Sequence, residues 1–373
     1  MPILKVEAIP VSYQEPNDYN SERHLCLVRI EDSSGHVGWG EAVTMWKEAT
    51  IATANVIKGM EELLLNRDAG SNGVIIDELI DHIWWYGYKG GIAGFAISAI
   101  DIALWDLKGK NLDKNVLDLI GGKVQDKLPV IASGHAHQES IDDLAEEAAT
   151  WVTNGIHGMK IGFGKKGDSH LGFDHDRDVE YVKKVRKSIG SEKLFMIDLG
   201  WIIKWDIDTA IQRAKSFEEY EIDWLEEPLG DWNPDGYKKL KNSTDIRMAY
   251  GEKEWDMRGY NQILETETVD VVGFDPGRSQ GITGFVKLLK KIEELNLQAN
   301  AHAWSSSIVT AASLAVSFSS KACKLFEFKP LPNPMQNELI SEPIVHSEGW
   351  VYPMTNPGLG IDVNEDFVKS IKY

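Results

Sequence analysis

This chain of 373 residues has little cysteine, and its sequence shows neither a long apolar run nor a signal-peptide pattern. Cys26 and Cys323 are its two cysteines, which excludes a disulfide framework and a zinc site built from thiolates. No apolar run approaches the roughly 20 residues that cross a bilayer. The first residues, MPILKVEAIPVSYQEPND, carry an acid within their apolar run and lack the basic start of a signal peptide. These absences predict a protein of the reducing cytoplasm with no membrane partner.

Basic residues are also fewer than acidic ones. Lys plus Arg total 39 against 58 for Asp plus Glu, which gives a formal net charge of −19. This balance opposes nucleic acid or an anionic membrane as a partner. A small anionic substrate would need local positive charge in order to bind, and a metal ion is one way to supply it.

The first part of the chain has an α+β pattern. Residues 3–13 and 24–31 alternate as strands do, and the turn at 32–38 predicts a hairpin. Helical periodicity follows at 47–66, 75–86 and 92–110. This length of chain also supports a large core and more than one structural unit.

After residue 125 the pattern changes to short apolar runs that alternate with amphipathic stretches such as 206–220 and 284–295. Eight such runs begin near residues 128, 158, 194, 223, 246, 269, 297 and 324. This alternation predicts a parallel β/α barrel. A doubly wound sheet is the competing α/β arrangement, but its glycine-rich phosphate loop is missing after the first run. The glycines of 162–172 follow the second run and open no helix.

Seven of the eight runs carry an ionisable residue at or near their carboxyl end. In a β/α barrel these ends converge on one face, where active sites lie. The sequence therefore predicts one ring of functional side chains made of Lys160, Asp198, Glu226, Glu252, Asp275, His302 and Glu327.

Three members of the ring form a candidate metal site. Asp198, Glu226 and Glu252 follow consecutive strands and offer the hard oxygen ligands that suit Mg²⁺. One such acid alone would more simply be a helix cap or a solvated loop residue. Three such acids on consecutive strands favour a metal site. Zinc is disfavoured because no cysteine lies in the ring.

Proton transfer has two candidate groups in the ring. Lys160 and His302 come from the second and seventh strands, so they should lie on opposite sides of a bound substrate. Asp275 on the sixth strand would hydrogen-bond the imidazole and fix its tautomer. Glu327 either helps to hold an oxyanion or pairs with a nearby cation such as Lys329.

The adjacent acids of WLEEPL, residues 224–229, are predicted to differ in role. Strand alternation sends neighbouring side chains to opposite sides. Glu226 would point into the barrel mouth as a metal ligand, and Glu227 would turn outward to a cation or a hydrogen-bond donor. Pro228 would end the strand.

The order of the ring residues resembles that of the enolase superfamily and, within it, the mandelate racemase subgroup. The matching features are Lys160, Asp198, EEP with Glu226, GE with Glu252, Asp275, His302 and Glu327. The helical stretch 96–122 and the ending PGLGID at 357–362 are similar to that family as well. The resemblance implies an α/β fold, a modified TIM barrel of the type (β/α)₇β with an N-terminal α+β capping domain. Its expected parts are a capping domain at 1–125, a catalytic barrel at 126–350 and a C-terminal segment at 351–373 that packs back on the capping domain.

The same resemblance implies a chemistry. One Mg²⁺ would be bound by Asp198, Glu226 and Glu252, and a proton next to a substrate carboxylate would be removed to give an enediolate. The metal cation and further donors would stabilise that charge. The resemblance also implies a homo-oligomer and places substrate specificity in loops of the capping domain, here expected within 14–24 and around 43–50.

Two positions depart from the family pattern. Relatives commonly carry Lys-x-Lys at the second strand, but this chain has Gly158-Met159-Lys160, so Lys160 is tuned by burial and the metal alone or serves mainly as an electrophile. The family's Asp-x-Asn at the third strand is Asp198-Leu199-Gly200, which leaves room in the site. His135 is a candidate to fill part of that gap as a substrate contact, and Arg278 is a candidate anion contact.

The first expectation for function is dehydration of an acid sugar. His302 or Lys160 would take the α-proton, and His302 would also be able to protonate the departing hydroxyl. The second is racemisation or epimerisation of a 2-hydroxy acid, with Lys160 and His302 acting on opposite faces. Cycloisomerisation is less expected, since the resembling subgroup uses lysine on the late strands. From another class, a non-catalytic metal-binding barrel is opposed by the intact acid triad and the Asp275–His302 pair.

Overall fold

The N-terminal part of the chain is an antiparallel sheet covered by helices. The computed structural model describes residues 1–153, 155–164, 169–200, 202–229, 233–302 and 304–373. Three strands pair in the order β1 (Ile3–Glu15), β2 (Ser21–Asp32) and β3 (Val37–Met45). Their helices are α1 (Lys47–Leu64), α2 (Asn72–His82), α3 (Trp84–Gly87), α4 (Ile92–Leu112) and α5 (Val116–Leu119). The helix predicted at 75–86 is thus two helices that meet at Ile83, whose ψ of 0° interrupts the regular helix.

Helix α4 lies directly on strand β3, and glycine makes this approach possible. A Cβ atom added at Gly38 or Gly40 would collide with the carbonyl oxygens of Ala103 and Ala99 on α4. The small and apolar residues of α4 are buried around most of the helix, as its pattern predicts.

The second part of the chain forms a nearly closed parallel barrel. Its eight strands within the described residues are β4 (Leu128–His135), β5 (Gly158–Phe163), β6 (Leu194–Leu199), β7 (Trp224–Glu226), β8 (Arg247–Tyr250), β9 (Val271–Phe274), β10 (Gln298–Ala301) and β11 (Phe326–Phe328). They pair in the order β10-β9-β8-β7-β6-β5-β4-β11. Ala299 of β10 forms a backbone bridge with Cys323, which precedes β11, and Asn300 of β10 donates a 2.5 Å side-chain hydrogen bond to Glu327 of β11.

Helices alternate with the barrel strands. They are α6 (Ile141–Trp151), α7 (His175–Ile189), α8 (Ile207–Phe217), α9 (Pro234–Lys241), α10 (Met257–Glu265), α11 (Gly281–Glu294) and α12 (Ser307–Phe318). Most begin at a side-chain cap, for example Asp206 before α8 and Asp256 before α10. The predicted (β/α)₇β barrel with an N-terminal α+β domain is confirmed.

The chain ends with α13 (Pro334–Asn337), β12 (Trp350–Val351) and α14 (Glu365–Ile371). β12 pairs with β4, and α14 lies against β1. Arg29 of the neighbouring strand β2 donates to Glu365 of α14 at 3.2 Å. The division of the chain at residues 125 and 350 stays a prediction. In the described part of the chain, helices long and apolar enough to cross a membrane are lacking.

The capping sheet docks on the barrel through buried contacts next to the strand ends. The backbone N–H of Val43 donates to the carbonyl of Gly277 at 2.9 Å. The buried Glu41 accepts from the backbone N–H of Ser306 at 3.1 Å, at the start of α12. Burial raises the pKa of Glu41 to about 7, although the hydrogen bonds from Ser306 oppose this. Strand β3 therefore fixes the segment that follows β10.

Candidate active site

The barrel strand ends and the capping sheet enclose a cavity of about 250 Å³. This volume is slightly below the roughly 300–1,000 Å³ of sites for drug-sized ligands, so the cavity suits a small molecule. Lys160, Asp198, Glu252 and His302 line it from the barrel. Asp18, Ser21, Glu22, Arg23, Met45 and Trp46 line it from the capping domain, within the two segments where specificity was expected.

The other ring members lie behind this surface. Glu226, Asp275 and Glu327 are at most 6% exposed. Parallel register aligns Asp198 with Glu226 on the neighbouring strand, so the predicted convergence of the strand ends is observed.

Lys160 is buried between two carboxylates. Its Nζ lies 2.8 Å from Oε1 of Glu226 and 2.9 Å from Oε1 of Glu327. Burial by itself lowers the pKa of a lysine, but the surrounding carboxylates, led by Glu226, outweigh it and hold the pKa of Lys160 well above its usual value. The side chain is a cation in this arrangement.

The carboxylate cluster, defined as Asp198, Glu226, Glu252 and Glu327, brings four acids together around Lys160. Burial and the other carboxylates raise the pKa of Glu226 despite the contact with Lys160. Trp224 Nε1 donates to its second oxygen at 3.1 Å. Oε2 of Glu327 is buried with no hydrogen-bond partner among the described residues. Two of the four acids, Glu226 and Glu327, are buried against the same ammonium, and the acids raise one another's pKa at Glu226.

This donor chemistry fits a hard divalent cation. Asp198, Glu226 and Glu252 supply carboxylate oxygens from consecutive strands, as Mg²⁺ prefers. Within the described residues, however, no three His, Cys, Asp or Glu side chains approach one another closely enough to hold an ion in their present positions. Glu226 is instead turned toward the ammonium of Lys160. The residue types fit the ion, and the side chains would have to reorient around it.

His302 and Asp275 form the predicted pair. His302 Nδ1 lies 2.7 Å from Oδ2 of Asp275, and the other oxygen of Asp275 accepts from the backbone N–H of Gly277 at 2.8 Å. His302 Nε2 faces Oε1 of Glu252 at 3.7 Å. Burial lowers the pKa of an imidazole, but Glu252 and Asp275 outweigh it, so the pKa of His302 lies above its usual value.

A second histidine–aspartate pair lines the same cavity. Nδ1 of His135, at the end of β4, lies 3.7 Å from Oδ1 of Asp18 on the capping domain. The indole of Trp304 is stacked on the His135 ring, with 4.0 Å between centroids and 5° between planes. Arg23 donates to the other oxygen of Asp18 at 2.9 Å. The predicted substrate contact His135 therefore lies in the cavity, accompanied by residues that the sequence did not single out.

Arg278 lies outside the cavity lining among the described residues. Its guanidinium carbon is 4.1 Å from the ring centroid of Trp255 and 5.8 Å from that of Phe95 on α4. The side chain thus stacks between the barrel and the capping domain. Its role as an anion contact stays a prediction.

The side chain of Glu227 does not point in the direction that the sequence predicted. Strand β7 ends at Glu226, and Glu227 has a φ of +51°, so strand alternation no longer applies to it. Its side chain lines the cavity, and Oε2 lies 3.0 Å from Nζ of Lys253. The predicted cation partner is present, but the side chain does not point away from the mouth.

A set of contacts, here named the clamp, ties the loop after β1 to the segment after β11, and its polar side chains are buried. It consists of Glu15, Asn17, Lys329 and Leu331. Lys329 Nζ lies 2.7 Å from Oε2 of Glu15, and the Asn17 amide bonds both to the carbonyl and to the N–H of Leu331, at 3.0 and 2.8 Å. Burial outweighs the attraction of Glu15 and lowers the pKa of Lys329. The clamp holds Asp18 and Ser21 over the cavity.

Comparisons with known proteins agree with this geometry. Residues 14–121 match the model of the mandelate racemase/muconate lactonizing enzyme N-terminal domain, and residues 143–367 match the enolase C-terminal domain-like model. D-gluconate dehydratase of Thermoproteus tenax is 28% identical over 97% of this chain and 72% of its own length. N-succinyl-L-Arg/Lys racemase of Bacillus cereus is 26% identical over 97% of this chain and 92% of its own length.

A crystal structure of the 3,6-anhydro-D-galactonate cycloisomerase from Zobellia galactanivorans superimposes with a TM-score of 0.89 and 27% identity, covering all of both chains. The named sequence relatives are thus a dehydratase and a racemase, and the named structural neighbour is a cycloisomerase. The protein is an enzyme that belongs to the mandelate racemase/muconate lactonizing enzyme family of the enolase superfamily.

Proposed function

We propose that the enzyme removes the α-proton of a small acid sugar in a Mg²⁺-dependent reaction and that the β-hydroxyl then leaves as water. The observation that carries the proposal is the 2.7 Å hydrogen bond between His302 and Asp275 beside a cavity that Lys160 also lines. An oriented imidazole and a buried ammonium at one small cavity are suited to proton transfer next to a carboxylate.

His302 is the proposed base. The Nδ1–H of the neutral imidazole donates to Asp275, which leaves the Nε2 lone pair for the substrate α-proton. Asp275 is itself fixed by Gly277, and it stabilises the imidazolium that forms. Lys160, held as a cation between Glu226 and Glu327, would place positive charge beside the substrate carboxylate.

Asp198, Glu226 and Glu252 are the proposed Mg²⁺ ligands. The support is the placement of the three acids at the ends of consecutive barrel strands and the hard-ligand chemistry of the set. When bound, the ion would stabilise the negative charge that develops on the substrate carboxylate oxygens.

The substrate class follows from the cavity and from the relatives. Asp18, Arg23 and His135 place hydrogen-bonding and charged groups around a volume that fits a five- or six-carbon acid better than an apolar ligand. The Thermoproteus tenax relative is named for dehydration of such an acid. Cycloisomerisation is the second candidate and gains support from the Zobellia structure, although the sequence placed it lower. Racemisation needs a second base, and Lys160 is ion-paired to two carboxylates.

The test uses a panel of five- and six-carbon aldonic acids, aldaric acids and their lactones with enzyme and Mg²⁺ in D₂O. Formation of a 2-keto-3-deoxy acid from an open-chain acid with loss of water identifies a dehydratase, opening of a lactone ring without loss of water identifies a cycloisomerase, and a deuterated epimer identifies a racemase. His302→Asn should lose turnover, whereas His82→Asn on the exposed face of α2 should keep it. If the wild-type enzyme exchanged no α-proton in the whole panel, the proposed function would be wrong.

A further inference from the structure

We propose that Glu41, on strand β3 of the capping domain, is a positioning residue that fixes the His302–Asp275 pair in its reactive arrangement. This inference rests on the proposed function, in which His302 is the base, and it assigns part of the geometry of that base to the capping domain. Glu41 has no exposed surface, so it acts on the pair through its neighbours and not on the substrate.

The barrel backbone brings the two residues of the pair side by side. His302 follows β10, and its N–H donates to the carbonyl of Phe274, the last residue of β9, at 2.8 Å. Beyond this point the chain leads from Asp275 to α11 and from His302 to α12. The 2.7 Å contact between the two side chains is therefore sensitive to how these two segments are held.

Strand β3 holds the segment that follows Asp275. The backbone N–H of Val43 donates to the carbonyl of Gly277 at 2.9 Å, and the N–H of Gly277 donates to Oδ1 of Asp275 at 2.8 Å. The other oxygen of Asp275 lies 2.7 Å from His302 Nδ1. A Cβ atom added at Gly277 would lie 2.7 Å from a methyl carbon of Val43 and 2.5 Å from one of Val309 on α12. The segment is thus packed tightly between β3 and α12.

Glu41 holds the segment that follows His302. Oε1 of Glu41 accepts from the backbone N–H of Ser306 at 3.1 Å, and Oε2 accepts from the Ser306 hydroxyl. The same hydroxyl caps α12, where it accepts from the backbone N–H of Ile308 at 3.1 Å. Residues 41–43 of β3 therefore tie together the segments that follow both members of the pair.

The charge of Asp275 also acts on the Glu41 carboxyl. Burial raises the pKa of Glu41 to about 7, the hydrogen bonds from Ser306 oppose this rise, and Asp275 adds to it. Because the carboxyl is readily neutral, glutamine is a mild replacement: its carbonyl keeps the bond from the Ser306 N–H, and its amide group can donate to the hydroxyl. Leucine is of similar size but removes both contacts. The two substitutions therefore separate the hydrogen bonds from the filling of space.

The deciding comparison is Glu41→Leu with Glu41→Gln. A displacement of about 1 Å can cost about 10²-fold, so Glu41→Leu should lower kcat by about 10- to 100-fold for the panel acid that the wild type uses best. Exchange of the α-proton with D₂O should fall in parallel, whereas Glu41→Gln should stay within about threefold of the wild type. KM and the thermal shift by Mg²⁺ should change little, because Lys160 and the carboxylate cluster are untouched.

Asp32→Leu is the matched control. Asp32 is a buried acid of the same sheet, and its hydrogen bonds come from Ser34 and Asn111 within the capping domain. Its loss should lower the melting temperature as Glu41→Leu does, but kcat of the folded enzyme should stay within about threefold of the wild type. If Glu41→Leu does not fold, Ser306→Ala replaces it, and this variant should lower kcat by at least about threefold at unchanged KM.

A measurement without turnover separates this inference from the proposed function. In the proton NMR spectrum of the substrate-free enzyme, the Nδ1 proton that His302 shares with Asp275 should give a downfield resonance that is lost in His302→Asn. It should shift or broaden in Glu41→Leu and stay in place in Glu41→Gln and Asp32→Leu. If it stayed in place in Glu41→Leu, or if Asp32→Leu lost kcat equally, Glu41 would not position the pair. If no acid reacted but the resonance responded as expected, the proposed function would be wrong and the positioning by Glu41 would stand.

Discussion

Two lysines near the ends of barrel strands are almost fully buried, and their surroundings differ. The side chains of Lys160 and Lys329 are 4% and 3% exposed. Lys160 contacts the carboxylates of Glu226 and Glu327, and its pKa is raised because the acids around it outweigh burial. Lys329 contacts one carboxylate, that of Glu15, and its pKa is lowered because burial outweighs that single partner.

The different surroundings of the two lysines indicate that Lys160 belongs to the proposed active site and Lys329 to a structural contact. In the clamp, one positive charge meets one negative charge, and hydrogen bonds from Asn17 satisfy Glu15 further. In the carboxylate cluster, one ammonium contacts two buried carboxylates, and the acids shift one another's pKa, which is characteristic of functional sites. Changes in the cluster should therefore affect ion binding and turnover, whereas changes in the clamp should affect stability.

The largest effect is expected from Glu226→Gln. Loss of a carboxylate ligand should lower turnover by at least about 10³-fold, in line with the several kcal/mol that a catalytic metal supplies. It should also remove the thermal stabilisation by Mg²⁺, which for binding to the folded state alone is about 2.7 kcal/mol at 100 times the dissociation constant. Unfolding of chelator-treated protein with and without Mg²⁺ measures this directly. Glu219→Gln, at an exposed acid, is the control, and persistence of the Mg²⁺ shift in Glu226→Gln would exclude Glu226 as a ligand.

Substitutions in the clamp should lower the free energy of unfolding more than turnover. Lys329→Met leaves Glu15 buried and unpaired, which costs about 3–5 kcal/mol of unfolding free energy. The double variant Glu15→Gln/Lys329→Met removes both charges and should recover most of this loss. Lys160→Met, matched in burial, leaves Glu226 and Glu327 unpaired and should also lose stability, but only this variant should lose turnover in protein that is still folded. Urea denaturation together with turnover per folded molecule tests the contrast, and it would fail if Lys329→Met lost as much turnover as Lys160→Met.

The clamp should also make the free energy of unfolding depend on pH below about pH 4.5. Burial would raise the pKa of Glu15, but Lys329 and Asn17 outweigh it and lower the pKa to about 2. Because the folded-state pKa lies below the ordinary value of 4.5, the stabilisation is fully present above about pH 4.5 and is lost as the pH falls toward 2. Over that range the unfolding free energy of the wild type should fall by roughly 3 kcal/mol relative to that of Glu15→Gln/Lys329→Met. A difference that is constant with pH would show that the pair contributes nothing through charge.

Local pattern in the sequence was enough to find the ring but not its partners. A charged residue that ends a buried apolar run is visible in sequence, and strand order then makes Asp275 and His302 neighbours. The partner of Lys160 was not predictable in the same way, because Glu327 approaches it from β11, on the far side of β4. Lys329, considered as the partner of Glu327, binds Glu15, 314 residues away.

The second histidine pair shows the same limit. His135 was a candidate from its position after the first strand, but Asp18 and Trp304 reach it from the capping loop and from the segment after β10. Their contacts depend on how the two sheets dock, which no periodicity encodes. The expectation that 14–24 and 43–50 border the site came from the family resemblance, and residues of both segments line the cavity.

The smallest effect is expected from Glu227→Gln, next to Glu226. The two residues are adjacent in sequence, but the strand ends between them and the positive φ of Glu227 turns its carboxylate to Lys253. Glutamine keeps the acceptor for the Gly251 N–H and loses only the charge attraction to a lysine that is 53% exposed. Turnover should fall about tenfold or less, the equivalent of about 1.4 kcal/mol, and Mg²⁺ should still raise the melting temperature. If Glu227→Gln abolished the Mg²⁺ shift as Glu226→Gln is expected to do, the ion would have to be bound nearer to Lys253, and the two acids would share one role.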